Sequence, residues 1–164
     1  MHRINAKLVI LSVGLWPLLA LALASDRQHN IVIHADYGSY QHDKAQTHYH
    51  GHVQIIQGTT QLLADDVTTQ NDQKGLQNIT AIGKPAQITT QLDNNKQHLL
   101  AQADTILYYP QQGKVVLQGH ALLKQNKDSF ESPHIEYDIQ GQHLYSPPSS
   151  NGRTTITIQT RQNR

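Results

Sequence analysis

Residues 48–55 read His48-Tyr49-His50-Gly51-His52-Val53-Gln54-Ile55. Polar and apolar side chains alternate here, and a period of two is that of a strand with one buried face. Tyr49, Val53 and Ile55 fall on one side, and His48, His50 and His52 on the other. The same alternation runs through Gln77-Asn78-Ile79-Thr80-Ala81, Ala86-Gln87-Ile88 and Thr155-Ile156-Thr157-Ile158. Turn-forming groups interrupt it at Gln57-Gly58, Asn71-Asp72, Gly83-Lys84-Pro85, Asp93-Asn94-Asn95, Gln112-Gly113, Asn126-Lys127-Asp128, Gln140-Gly141 and Asn151-Gly152. Many short strands at roughly 8 to 12 residue spacing predict an all-β protein. No stretch after residue 25 carries an apolar stripe at helical spacing.

The stretch also recurs. A shift of 68 residues lays Ala35-Asp36 on Ala103-Asp104, Tyr40 on Tyr108, Gly51-His52 on Gly119-His120, Ile55 on Leu123, Leu62 on Phe130, Val67 on Ile135 and Leu76 on Leu144. Repeated units that cannot bury an apolar face alone share one core. Two similar halves, residues 31–76 and 99–144, are therefore expected to close over a common interior. Alternation assigns to that interior Ile31, Ile33, Ala35, Tyr49, Val53, Ile55, Leu62, Ala64, Ile79, Ala81, Ala86 and Ile88 from the first part. The second part supplies Ile106, Tyr108, Val115, Leu117, Ala121, Leu123, Phe130, Ile135, Tyr137 and Ile139. The opposite face is Gln, Thr, His, Lys and Asp, the pattern of a sheet coiled round its own inside. Copy two has Ser132-Pro133 where copy one has Ala64-Asp65, and a bend is expected at Pro133 because proline cannot donate to a sheet ladder.

Residues 1–24 have the order of a secretory signal peptide. His2, Arg3 and Lys7 precede an apolar run over residues 8–23, and Ala22-Leu23-Ala24 forms a cleavage site before Ser25. The run of about 16 residues is shorter than the roughly 20 that a membrane-spanning helix needs. The remainder, about 140 residues, allows one domain, taken as residues 25–160, with 161–164 as a disordered tail. Losing Arg3 and Lys7 takes 13 basic residues to 11 against 12 acidic ones, a net charge near −1 with neutral histidine. No basic patch remains to support nucleic-acid binding. There is no cysteine, so stability rests on core and ladder rather than on disulfides. With one Phe and no Trp left after residue 24, the apolar content suits a slender core.

Catalytic chemistry finds no foothold: there is no Cys nucleophile, no G-x-S-x-G and no glycine-rich phosphate loop. Asp65-Asp66 is the adjacent acidic pair, and strict alternation sends its carboxylates to opposite faces. His48, His50 and His52 offer an alternative, a periplasmic His-rich metal-binding β protein, since three imidazoles share a strand face. Same-face neighbours on a strand lie about 7 Å apart, however, too far for close three-way ligation. A saccharide-binding repeat protein would need exposed aromatic platforms, and the one Trp lies within residues 1–24.

Three segments in order carry a resemblance: Gly51-His52-Val53-Gln54-Ile55-Ile56-Gln57-Gly58 with Leu62-Leu63-Ala64-Asp65; Gly83-Lys84-Pro85-Ala86; and Tyr108 through Gly119-His120-Ala121-Leu122-Leu123. Over about residues 30–158 the chain resembles the OstA-like repeat family of LptA-type periplasmic lipopolysaccharide transport proteins. The resemblance implies a V-shaped, β-jellyroll-like coil of antiparallel strands with an apolar interior groove. It further implies a soluble periplasmic component that binds the lipid A acyl chains of lipopolysaccharide and works with inner-membrane and outer-membrane transport components. No cofactor, metal or catalytic residue is implied. On that reading the groove is lined by Ile31, Ile33, Val53, Ile55, Ile88, Tyr108 and Leu123. The strand-like segments at residues 30–35 and 154–160 are its edges, with Ile33, Ile156 and Ile158 available for head-to-tail self-association by strand addition.

Overall fold

A computed structural model describes residues 29–92, 97–138, 143–150 and 152–158. The expected signal peptide (1–24), the expected tail (161–164) and Ile139 lie outside the described residues. Among the described residues ten strands follow in chain order: β1 Val32–His34, β2 Tyr37–Gln41, β3 Gln46–Gln57, β4 Thr60–Asp72, β5 Gly75–Leu92, β6 Gln97–Tyr109, β7 Lys114–Gln125, β8 Asp128–Asp138, β9 His143–Tyr145 and β10 Thr155–Thr157. A 3-10 turn, Pro110–Gln112, joins β6 to β7. Among the described residues there is no α-helix.

All strands belong to one antiparallel sheet in the order β1-β3-β4-β5-β6-β7-β8-β10, with β2 also on β3 and β9 also on β8. The sheet is open, and each end is made of two short strands, β1 with β2 and β9 with β10. Between them the hairpin order follows the chain, as expected where connections are short.

Every long strand changes register at one row crossing the sheet. The shifts fall between His50 and Val53 on β3, Leu63 and Asp66 on β4, Ile82 and Ala86 on β5, Gln102 and Thr105 on β6, and Gln118 and Ala121 on β7. On β8 the row passes through Pro133, which is skipped between the pairs Gln118↔His134 and Ala121↔Ser132. A bulge leaves one residue unpaired and bends its strand. The bend expected at Pro133 is thus present but belongs to the whole sheet, and its copy-one counterpart is Asp65, skipped between His50↔Asp66 and Val53↔Ala64. Gly83-Lys84-Pro85, expected to end a strand, is instead a bulge within the continuous β5.

Folded along this row, the sheet makes two layers from the two halves of each strand. The apolar face lies between them as one cluster, with Ile55, Val67 and Ile135 fully buried. The bulge on β4 also reverses the alternation there. Val67 points in, while Asp65 is exposed and Asp66 is held by His48 and His50 on the outer face, so the two carboxylates share the outside rather than opposite faces. Two polar side chains deep in the interior satisfy each other: Thr60 and Thr90 are joined by a 2.7 Å hydroxyl hydrogen bond.

The duplication is structural. Adding 68 to β3 reproduces the bounds of β7, and all ten β3–β4 pairs become the ten β7–β8 pairs, from Gln46↔Gln70 with Lys114↔Asp138 to Gln57↔Thr60 with Gln125↔Asp128. Leu144 departs from the scheme. It pairs with Tyr137, the counterpart of Thr69, and so stands where Ile79 stands rather than where Leu76 does.

Candidate functional site

Of the seven interior residues singled out by sequence, Val53, Ile55, Ile88 and Tyr108 are buried. Ile31, Ile33 and Leu123 are half-buried at the margin of the same cluster. A cavity of about 20 Å³ sits between the layers, lined by Ile55, Leu62 and Ile88 from one side of the bend row and by Ile79, Ala81, Ile106 and Tyr108 from the other. That is room for about one water molecule, and the lining is apolar. Tyr49 borders this cluster, and burial raises its phenol pKa.

The three residues expected at the edges are separated by the length of the sheet. Ile33 lies in β1 at one end; Ile156 in β10 and Ile158 just beyond it lie at the other, 58% and 72% exposed. Ser146, just after β9, and Thr154, just before β10, are fastened to the bend row by a hydroxyl triangle. Ser132 Oγ is 2.6 Å from Ser146 Oγ and 3.2 Å from Thr154 Oγ1, and the latter two are 3.0 Å apart.

Sequence reasoning did not foresee the polar clasps on the outer face. At the bend the His52 Nδ1–H donates to Asp36 Oδ2 at 2.7 Å, and the His120 Nδ1–H donates to Asp104 Oδ2 at 2.8 Å. The signal was in the recurring Ala-Asp and Gly-His dipeptides, held at the same separation in both copies. Farther along β3, Asp66 Oδ1 accepts from His50 Nδ1 at 2.6 Å and from His48 Nε2 at 3.1 Å. Hydrogen bonding to Asp66 raises the His50 pKa above its usual 6.5, and bonding to Asp36 does the same for His52. The bond from His50 is the first cause holding Asp66 below its usual 3.8. Glu136 is likewise lowered, first by Lys114.

The His48 and His50 ring centres stand 6.2 Å apart, and His52 turns to Asp36 instead. Among the described residues no group of three or more His, Cys, Asp or Glu is arranged to hold a metal ion, so the metal-binding alternative gains no support. An open concavity of about 930 Å³ lies on the outer face around Lys84, Asp104, His120, Glu131 and Arg153. Its charges are of both signs and give it no single-sign field. No helix among the described residues is long and apolar enough to cross a membrane.

This architecture is found in known proteins. The crystal structure of LptH, described as the LptA homologous periplasmic component of the conserved lipopolysaccharide transport device from Pseudomonas aeruginosa, superposes with a TM-score of 0.73 at 30% identity, covering 83% of this chain and 99% of that one. By sequence, the lipopolysaccharide export system protein LptH of Pseudomonas aeruginosa is 32% identical over 146 residues, 88% of this chain and 83% of that protein. The lipopolysaccharide export system protein LptA of Escherichia coli K12 is 28% identical over 141 residues, 85% and 76% of the two chains. The family model described as LptA/(LptD N-terminal domain) LPS transport protein matches residues 32–143. A ten-stranded sheet folded over its apolar face, matched in both sequence and structure, places this chain in the LptA/(LptD N-terminal domain) family of LPS transport proteins.

Proposed function

We propose that the chain is a periplasmic carrier that takes lipopolysaccharide from inner-membrane to outer-membrane transport components, exported by a signal peptide over residues 1–24. The observation that carries this reading is the continuous apolar interior of an open sheet in a chain of the LPS transport family. Burial of acyl chain is worth about 0.8 kcal/mol per CH₂, so exposing one long chain to water costs on the order of 10 kcal/mol. A row of apolar sites of similar affinity avoids that cost by passing the chain along without full exposure. Ile31, Ile33, Val53, Ile55, Ile88, Tyr108 and Leu123 are the proposed contacts. Because the cavity between the walls is about 20 Å³, the acyl chains enter as the two layers part. The saccharide stays in water. The role is carriage, and no chemical step on the lipid is invoked.

The ends of the sheet support a second part of the reading. Strands with one neighbour present ladder groups that template pairing, and soluble proteins usually blunt them. Here they carry exposed Val32 and Ile156. Copies of the chain add head to tail through these edges, and the same edges serve the membrane-bound partners.

Photocrosslinking residues placed one at a time at Ile55, Ile88 and Tyr108, in cells exporting lipopolysaccharide, test the carrier reading. Adducts with lipopolysaccharide from these positions and none from the outward Gln54 are expected. Adducts from Gln54 alone would overturn it.

A further inference from the structure

Among the described residues five polar side chains are buried: Gln57, Thr60, Thr69, Thr90 and Ser132. Four of them stand on the inner face of β3, β4 and β5. Gln57 pairs with Thr60, two residues farther from the bend row than the apolar pair Ile55↔Leu62. The hydroxyl bond of 2.7 Å joins Thr60 to Thr90 across the next seam, beyond the pair Leu62↔Ile88. On the other layer Thr69 pairs with Thr47, and Asn71 pairs with Leu76 of the core. Asn71 Oδ1 is buried and accepts no hydrogen bond, the one such side-chain atom among the described residues. In this part of the sheet the apolar band beside the bend thus gives way, on both layers, to amide and hydroxyl groups.

The second copy has no such row. The 68-residue shift sets Val115 on Thr47, Tyr137 on Thr69, Ile139 on Asn71 and Ile158 on Thr90. Gln125 and Asp128, in the places of Gln57 and Thr60, are exposed. The ladder of β3–β4 is repeated pair for pair in β7–β8, yet the polar interior stands in one half. Packing does not call for it. Replacing both partners of a buried hydrogen bond by apolar groups of the same shape is nearly neutral or stabilising.

We propose that this row is a polar subsite of the groove, taking the carbonyl groups that join acyl chains to their saccharide. The inference rests on the carrier reading above and adds where the polar end of the lipid dwells. An acyl carbonyl accepts hydrogen bonds and donates none, and it is the first polar group met on leaving the hydrocarbon tail. Buried without a partner, such a group costs free energy. The Thr60 and Thr90 hydroxyls rotate to donate, and Gln57 Nε2, which donates to the His29 carbonyl at 3.2 Å, carries two N–H groups. Asn71 Oδ1 accepts, and so matches the N–H of an amide-linked chain or a saccharide hydroxyl. The tails then lie against Ile55, Leu62 and Ile88, one row nearer the bend. The polar end is held over β3, β4 and β5, while the apolar band runs on past it into copy two.

The mature chain carrying Thr60→Val with Thr90→Val tests the subsite against two probes, lipopolysaccharide and a pyrenyl alkane, which has a chain but no carbonyl. The variant should unfold in urea no earlier than the parent. It should bind lipopolysaccharide about ten-fold more weakly and the alkane as the parent does. Gln125→Leu, at the counterpart of Gln57 in copy two, should leave both affinities unchanged. Equal affinity of parent and double variant for lipopolysaccharide overturns the subsite and leaves the carrier reading standing. So does equal weakening toward both probes, which would report altered apolar walls rather than a lost hydrogen bond. If the two valines prevent folding, Gln57→Leu takes the same comparison with the same deciding outcomes. A parent that binds neither probe removes the carrier reading, and this inference with it.

Discussion

His120 donates to Asp104 at 2.8 Å in the same geometry in which His52 donates to Asp36 at 2.7 Å. Both histidines have φ of 44°, and the glycines before them, Gly119 and Gly51, have φ of 75° and 77°. The left-handed region is uncommon for side-chain-bearing residues, with histidine among those that enter it more readily. Each pair therefore fastens a Gly-His bulge to the segment beside it, the β1–β2 connection in copy one and β6 in copy two. In copy one the backbone adds a bond from Asp36 N–H to the Gly51 carbonyl at 2.9 Å. The bend row is pinned twice, by the same device.

Gly51→Ala and Gly119→Ala should be damaging and alike. A Cβ at Gly51 would come within 2.9 Å of Asp36 Cβ, and one at Gly119 within 3.0 Å of Asp104 Cβ, displacing the carboxylate each histidine needs. The positive φ adds about 1–2 kcal/mol at each site. Urea unfolding should show losses of at least that size, equal for the two variants within error; an effect at one site alone would deny their equivalence.

The His50–Asp66 contact makes stability depend on pH. Because His50 is raised above 6.5, its contribution is full below about pH 6.5 and is lost as pH rises through its folded value. Because Asp66 is lowered below 3.8, its contribution is present above that value and is lost as pH falls through its folded value. The pair acts most strongly between these limits. Asp66→Asn should lower Tm more at pH 5.5 than at pH 8, and more in low salt than in high salt, since both groups are exposed enough to be screened. Equal losses at both pH values would show that the imidazole is not charged in the folded state.

Ile55→Ala and Ile135→Ala remove side chains with no exposure, and each should cost about 2–5 kcal/mol in urea unfolding. Ile82→Ala, outside the interior and 49% exposed, should change stability by less than about 0.5 kcal/mol. Similar losses at all three positions would mean that the interior is not the main source of stability.

Lysine on an edge strand is a common guard against strand addition. Ile156→Lys with Ile158→Lys should leave the monomer's unfolding free energy within about 0.5 kcal/mol of the parent, because both positions are exposed. The mass found by light scattering at high concentration should fall to that of one chain. Undiminished oligomers would place self-association elsewhere.

Much of this architecture was legible in the sequence, because a half-buried strand writes its inner face at every second residue. Val53, Ile55, Ile79, Ala81, Ile88, Ile106, Tyr108 and Ile135 all point inward as their spacing predicts. Legibility fails at the bulges. An added residue reverses the phase, so counting by twos from Leu62 and Ala64 puts Asp66 inside and Val67 outside, the reverse of what is found. Proline at residue 85 reads locally as a stop, yet at a bulge its missing N–H costs the ladder nothing. The Asp36–His52 contact joins the β1–β2 connection to β3 and the Asp104–His120 contact joins β6 to β7, and a one-strand pattern carries no mark of them. Leu144 pairs with Tyr137, a register that the 68-residue spacing does not carry.

A sheet folded along one transverse row separates two dimensions. Its gauge, the cross-section available between the layers, is set by how many residues each strand places on either side of its bulge. Its reach is set only by how many strands stand in the row. Duplicating a hairpin therefore lengthens such a conduit without changing what fits inside, and the 68-residue repeat is one such lengthening already written into a single chain.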